Sequence, residues 1–207
     1  MLTPFLGKIF NCDCMEIMKK LPDKSVSLCL TDPPYGIGQD GGNFRARAGQ
    51  YARVLEKMSW DNKTPEKIVF DEIQRISKNQ VIWGGNYFTD KLPVSRGWLY
   101  WAKMMGGDFS DGELAWTSYD SVLRQFNLCN KMSGKEHPTQ KPDELFRWVL
   151  NMHEDCLTVF DPFMGSGTTA VACERLGRKW FGCELEPKYV AIANKRIEAE
   201  RAQLKLW

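Results

Sequence analysis

The chain has 207 residues, 43% hydrophobic and 26% charged, with a formal net charge of +2. That is ordinary for a soluble globular protein and enough to bury the core of one generous domain, 1–207, or of a domain with an insertion. No apolar run approaches a membrane span, Met1-Leu2-Thr3-Pro4 lacks the charged-then-apolar pattern of a secretion leader, and a near-neutral charge does not by itself announce a nucleic-acid binder.

Seven cysteines, an odd number at irregular spacing and mostly inside apolar segments, read as reduced, buried thiols of a cytoplasmic protein. Cys12-Asp13-Cys14 is half of a metal motif, but no second Cys or His pair matches it, so no metal is expected. In chain order, Lys8-Ile9-Phe10 reads as a strand end. A short helix follows with Met15, Ile17, Met18 and Leu21 on one face, closed by Pro22. Val26-Ser27-Leu28-Cys29-Leu30 is then a buried strand, and the alternation predicts a parallel sheet.

That strand runs into Thr31-Asp32-Pro33-Pro34-Tyr35-Gly36. Two successive prolines forbid helix and ladder alike, leaving a stiff turn at the C-terminal edge of the strand, where ligands of open α/β sheets sit. Asp32 can accept one hydrogen of a flat substrate's amino group, a proline-turn carbonyl the other, and Tyr35 can stack on the ring. A capped Pro-Pro turn with a packed Tyr is the bland alternative.

Residues 36–66 show no sustained period and read as a long mobile loop with one helical turn near Gln50–Leu55. Arg45, Arg47 and Arg53, with Asn43, Phe44 and Tyr51 among them, suit contacts to a phosphate backbone; a solvated loop is the other reading. Ile68, Val69, Ile73 and Ile76 space out a helix. Strands are expected at Gln80–Trp83, Gly97–Trp101 and Leu114–Tyr119, with Val122–Leu128 pairing with the last as a hairpin. Most of the eight tryptophans read as core. His137-Pro138-Thr139-Gln140-Lys141-Pro142 is a rigid polar loop before a helix at Asp143–Met152. Its prolines and Thr139 suit a cap, whereas Lys141 suggests a carboxylate partner.

The final segment is a βαβ unit. Cys156–Phe160 is a strand ending in Asp161-Pro162-Phe163-Met164-Gly165-Ser166-Gly167-Thr168-Thr169, a helix runs through Ala170–Leu176, and Lys179–Glu184 is the next strand. Glycines let backbone approach a ligand, the helix N-terminus favours negative charge, and a carboxylate after the second strand typically takes ribose hydroxyls, the place of Glu184. A dinucleotide is one candidate, although the third glycine of its fingerprint is absent, and no Lys-Ser or Lys-Thr pair supports a nucleoside triphosphatase. S-adenosylmethionine meets the same demands with fewer glycines.

Asp32-Pro33-Pro34-Tyr35, the Asp161–Thr168 loop and His137–Pro142 together resemble the amino-directed DNA methyltransferases. Their order resembles the permuted β class, in which the catalytic tetrad precedes the cofactor loop. The resemblance spans Ile9 to Arg196. It implies a Rossmann-like, mostly parallel seven-stranded sheet with S-adenosylmethionine at the Gly-rich loop. It further implies that Asp32 and the carbonyl of Pro33 hold the target amine, with Pro34 completing the turn and Tyr35 stacking on a flipped base. Phe163, Gly165 and Gly167, with Asp161, Ser166 and Thr168 of the same loop, would serve the methionine end. Glu184 would bind the ribose, Asp13 the adenine amine, and Thr139 and Lys141 the cofactor's carboxylate end. An Asp-led tetrad leans to N6 of adenine over N4 of cytosine within that family. A non-catalytic nucleic-acid-binding module on the same fold is the rival of another class, and it would need no amine-orienting tetrad. The family's usual target-recognition region is short here, within 105–136, so specificity must rest partly on the 36–66 loop or on a partner, or be short and relaxed; the family also often forms homodimers.

Overall fold

The computed structural model describes residues 2–38, 61–104, 110–129 and 140–204, with the backbone of 42–43 and 54–55. The strands are β1 Ile9–Phe10, β2 Val26–Thr31, β3 Gly42–Asn43, β4 Val54–Leu55, β5 Ser77–Trp83, β6 Trp98–Ala102, β7 Gly112–Thr117, β8 Arg124–Asn127, β9 Thr158–Asp161 and β10 Lys179–Cys183. The helices are α1 Cys14–Met18, α2 Lys67–Ile76, α3 Asp143–Met152, α4 Thr168–Arg175 and α5 Pro187–Leu204.

One sheet runs in the order β1-β10-β9-β2-β5-β7-β6-β8. β1, β10, β9, β2 and β5 pair in parallel, while β7 runs antiparallel to both of its neighbours. Among the described residues the sheet is mostly parallel, as expected, but has eight strands rather than seven. The extra strand corrects a second expectation, because β8 pairs in parallel with β6 and forms no hairpin with β7. Both edges of β7 are already taken, by β5 and β6, so the next segment can add only beyond β6. Val54 and Leu55 are also not helical; they pair antiparallel with Gly42 and Asn43. The rest of the expected turn, and Arg45, Arg47 and Arg53, lie outside the described residues.

Strand alternation sorts the core onto the two sheet faces. Leu28, Leu30, Val81, Trp83, Leu99, Trp101, Val159 and Trp180 pack with α3 and α4 on one face. Cys29, Ile82, Trp116, Phe160 and Phe181 pack with α1 and α2 on the other. Arg75 ties α2 to α1 by donating to the carbonyls of Leu21 and Met18, each at 2.9 Å. Among the described residues no helix is long and apolar enough to cross a membrane.

The order β10-β9-β2 fixes the site. It sets Glu184, Asp161 and Asp32, each at or just past a strand's C-terminal end, side by side along one sheet edge.

Candidate active site

Asp161 sits at 2% exposure beneath the Gly-rich turn. Its carboxylate accepts from the Thr31 hydroxyl at 2.6 Å, the Phe163 N–H at 3.0 Å and the Thr169 hydroxyl. Burial pushes its pKa up to about 6 against these donors, which pull it down. Asp161 thus joins β9, β2 and α4 and holds the turn in shape.

Above it, the Gly165 N–H donates to Glu184 Oε2 at 2.7 Å and the Glu186 N–H to Oε1 at 2.9 Å. Each oxygen keeps a further lone pair, so backbone amides orient the carboxylate without exhausting it. Burial raises the Glu184 pKa, and the amide hydrogen bonds oppose the shift. Gly165 and Gly167 both have positive φ, +52° and +84°. At Gly167 a Cβ would come within 2.9 Å of the Ala193 Cβ on α5, so this glycine serves helix packing as well as the turn. Arg196 on α5 donates to the Ser166 carbonyl at 2.5 Å and hydroxyl at 3.0 Å, fastening the turn from behind. Asp13 caps α1, its Oδ1 accepting the Met15 N–H at 2.8 Å.

These groups open onto one cleft of about 320 Å³. Asp13, Asp32, Pro34, Lys141, Asp161, Phe163, Gly165, Ser166, Thr168 and Glu184 all line it; Pro33, Tyr35 and Gly167 do not. Thr139 lies outside the described residues. The donor set fits a nucleoside-bearing cofactor. A pre-oriented carboxylate suits a vicinal diol, and Phe163, Val69 and Leu185 give the cleft apolar walls. Among the described residues no group of three or more His, Cys, Asp or Glu could hold a metal ion.

At the Asp32 end the arrangement is ionic. The Tyr35 hydroxyl donates to Asp32 Oδ1 at 2.5 Å, and Lys141 Nζ donates to Oδ2. Lys141, expected at the cofactor's carboxylate end, lines the cleft. Its ammonium, 5% exposed, is shared among Asp32, the Tyr35 hydroxyl at 2.8 Å and Glu113 Oε2 at 3.0 Å. Three acceptors match its three hydrogens, and a buried ammonium requires such pairing. Glu113 accepts from Lys103 through its other oxygen at 2.6 Å. Burial raises the Asp32 pKa, Lys141 draws it back down, and Glu113 pushes it up again. At Glu113 burial is outweighed by the two ammonium groups, which hold its carboxyl at about 2.

The Tyr35 ring stacks on Tyr87, centroids 4.8 Å apart and planes 13° off parallel, with Phe88 at its edge. It lies where a Cβ of Gly84 would stand, and Gly84 has φ +71°. Asp61 accepts the Gly36 N–H at 2.8 Å and closes the turn beyond Tyr35. Glu113, Lys103, Tyr87 and Gly84 were not singled out from the sequence. One signal for Glu113 was present, a lone carboxylate opening the otherwise apolar run Leu114-Ala115-Trp116, which needs a cation if buried.

Comparison with known proteins bears on the family and the fold. The DNA methylase family profile matches residues 73–195. The chain is 49% identical to the type II methyltransferase M2.DpnII of Streptococcus pneumoniae, across 97% of this chain and 94% of that protein. That alignment runs over 265 residues, more than the 207 of this chain, so the relative carries residues with no counterpart here. The M1.HpyAVI–SAM complex superposes with a TM-score of 0.59 at 24% identity, covering 91% of this chain and 98% of that one. The cytosine-N4-specific PvuII DNA methyltransferase superposes with a TM-score of 0.62 at 18% identity, covering 96% and 93%. At those identities the two structures establish the shared fold, whereas the family profile and the 49% relative establish kinship: the chain belongs to the amino-directed DNA methylase family.

Proposed function

We propose that this DNA methylase transfers the methyl group of S-adenosylmethionine to the exocyclic N6 amine of adenine in DNA. The observation that carries the reading is the placement of Asp32 and Glu184 on one cleft, an amine acceptor and a diol acceptor two strands apart. The bound cofactor supplies an electrophilic methyl group on a sulfonium sulfur. Glu184 takes the ribose hydroxyls and Asp13 the cofactor's adenine amine. Phe163, Gly165, Ser166, Gly167 and Thr168 shape the methionine end, Asp161 holds them from below, and Thr139 belongs to the same end.

Asp32 and the Pro33 carbonyl accept the two hydrogens of the target amine, with Pro34 fixing the turn and Tyr35 stacking on the base. That geometry favours a pyramidal nitrogen, its lone pair aimed along the line of attack. The lone pair would form the bond to the methyl carbon that the cofactor supplies, the electrons of the broken bond remaining with the leaving group, and the surplus proton would leave the nitrogen toward Asp32. No cysteine nucleophile takes part. The Asp-led tetrad favours adenine. The PvuII enzyme, cytosine-N4-specific on the same fold, supports cytosine N4 as the second reading.

Arg45, Arg47 and Arg53 are assigned to DNA phosphates on the strength of the sequence. The short 105–136 recognition region within a single 1–207 domain favours a homodimer, and seven free thiols favour a reducing, cytoplasmic setting. The test is chemical. DNA incubated with the protein and cofactor is digested to nucleosides and analysed by mass spectrometry. N6-methyl-2′-deoxyadenosine is expected as the methylated product, and N4-methyl-2′-deoxycytidine alone would overturn the adenine assignment.

A further inference from the structure

Both donors that hold Asp32 have a second acceptor within reach, and it is the same one. The Tyr35 hydroxyl donates to Asp32 Oδ1 at 2.5 Å and lies 3.2 Å from Glu113 Oε2. Lys141 Nζ bonds Asp32 Oδ2 and lies 3.0 Å from that same Glu113 oxygen. Each oxygen of Asp32 accepts one donor of the protein and keeps a further lone pair for the target amine, so Lys141 and Tyr35 set where those lone pairs point. A buried ammonium and hydroxyl need fixed acceptors to hold that orientation.

We infer that Glu113 is a positioning residue for methyl transfer, holding Lys141 and the Tyr35 hydroxyl where they aim the free lone pairs of Asp32 at the target amine. The inference rests on the reading of Asp32 as the amine acceptor. Lys103 anchors Glu113 through Oε1 and leaves Oε2 facing the tetrad. Two cations and two carboxylates balance in this cluster, so a neutral amine enters with no charge left over. β7 thereby contributes to the tetrad although Glu113 stands 78 positions from Tyr35 along the chain.

The charged and titratable groups facing Asp32 are Lys141, Tyr35, Glu113 on β7 and, from β9, Asp161, with Lys103 on the far side of Glu113. Glu113 raises the Asp32 pKa by like-charge repulsion. Removing its charge should therefore move the acid limb of the transfer rate to lower pH, a shift that loss of folding alone would not produce.

The experiment compares single-turnover methyl transfer from S-adenosylmethionine to DNA by the parent, Glu113→Gln, Lys141→Met and the double variant. Cofactor affinity and thermal unfolding are measured on each. For Glu113→Gln the rate at neutral pH should fall about tenfold or more, as one stranded donor implies, with cofactor affinity kept and the acid limb displaced downward. An unchanged rate and acid limb would overturn the inference. The double variant removes one cation and one carboxylate together, which leaves the cluster's charge balanced and guards against misfolding of the single one. Added to Lys141→Met, which leaves no ammonium for Glu113 to hold, Glu113→Gln should cost less than about threefold more. A further tenfold loss there would also overturn the inference. Failure of the underlying reading looks different, since Asp32→Ala would then keep its activity whatever Glu113 does.

Discussion

The two ends of the cleft hold their carboxylates by opposite means. Glu184 is oriented by two backbone amides, from Gly165 and Glu186, which cannot leave and which spare lone pairs for a ligand. Asp32 is oriented by two side chains, Tyr35 and Lys141, which also take one lone pair of each oxygen but can turn. The first end is a fixed cradle; the second is an adjustable one. Backbone donors suit a ligand that must be bound in every cycle, because they impose no reorganisation. Side-chain donors suit a site that settles as its substrate arrives, because they can turn with the carboxylate they hold.

The sharpest way to break this comparison is Asp32→Ala. It should lower methyl transfer by about 10³-fold, the scale of losing a transition-state electrostatic contact, and leave cofactor affinity within about threefold. Calorimetry with S-adenosylmethionine and turnover with a tritiated methyl donor read the two effects separately. Retained activity in a folded variant would dissolve the division between the two ends.

Asp161 offers the next largest effect, on stability. Its pKa is about 6 in the folded protein against an ordinary 3.8, a raised carboxylate. Its contribution to stability is therefore fully present below pH 3.8 and lost as pH rises through about 6. That gap corresponds to about 3 kcal/mol. Asp161→Asn should gain on the parent by up to that amount between acid and neutral pH, less the cost of rearranging three hydrogen bonds. Calorimetric unfolding across pH 4 to 8 tests the sign. A stability difference independent of pH would mean Asp161 is ionised without penalty.

The smallest expected effect is on Glu184→Ala, whose cofactor affinity should fall at least about tenfold through lost hydrogen bonds to the ribose. The rate at saturating cofactor should change less than in Asp32→Ala. Equal losses of rate in both variants would show the two ends acting as one unit.

The cradle was legible in the sequence because it is local. Asp161, the glycines and Glu184 lie within one βαβ unit whose strand, turn and helix periods follow in succession. The Pro-Pro turn was legible for a similar reason, since two prolines leave the backbone few options. The partners of Asp32 were not. Lys141 is 109 positions away and Glu113 stands 78 from Tyr35, so their meeting depends on β7 docking beside β5. That docking also took the edge from which a hairpin with β8 would have grown. Lys141 did signal a carboxylate partner, but side-chain chemistry alone could not say which.

The sheet order bears on how the protein is made. β2 carries the tetrad and lies between β5, which follows it soon, and β9, whose partner residues begin some 130 positions later. During synthesis from the N-terminus, one flank of an apolar strand stays bare until β9 has left the ribosome. Nascent chains should therefore present a sticky edge to chaperones throughout that interval, and long-range closure of that kind is slow. Both carboxylates of the cleft come together at the same late moment, so a truncated product should bind neither cofactor nor target.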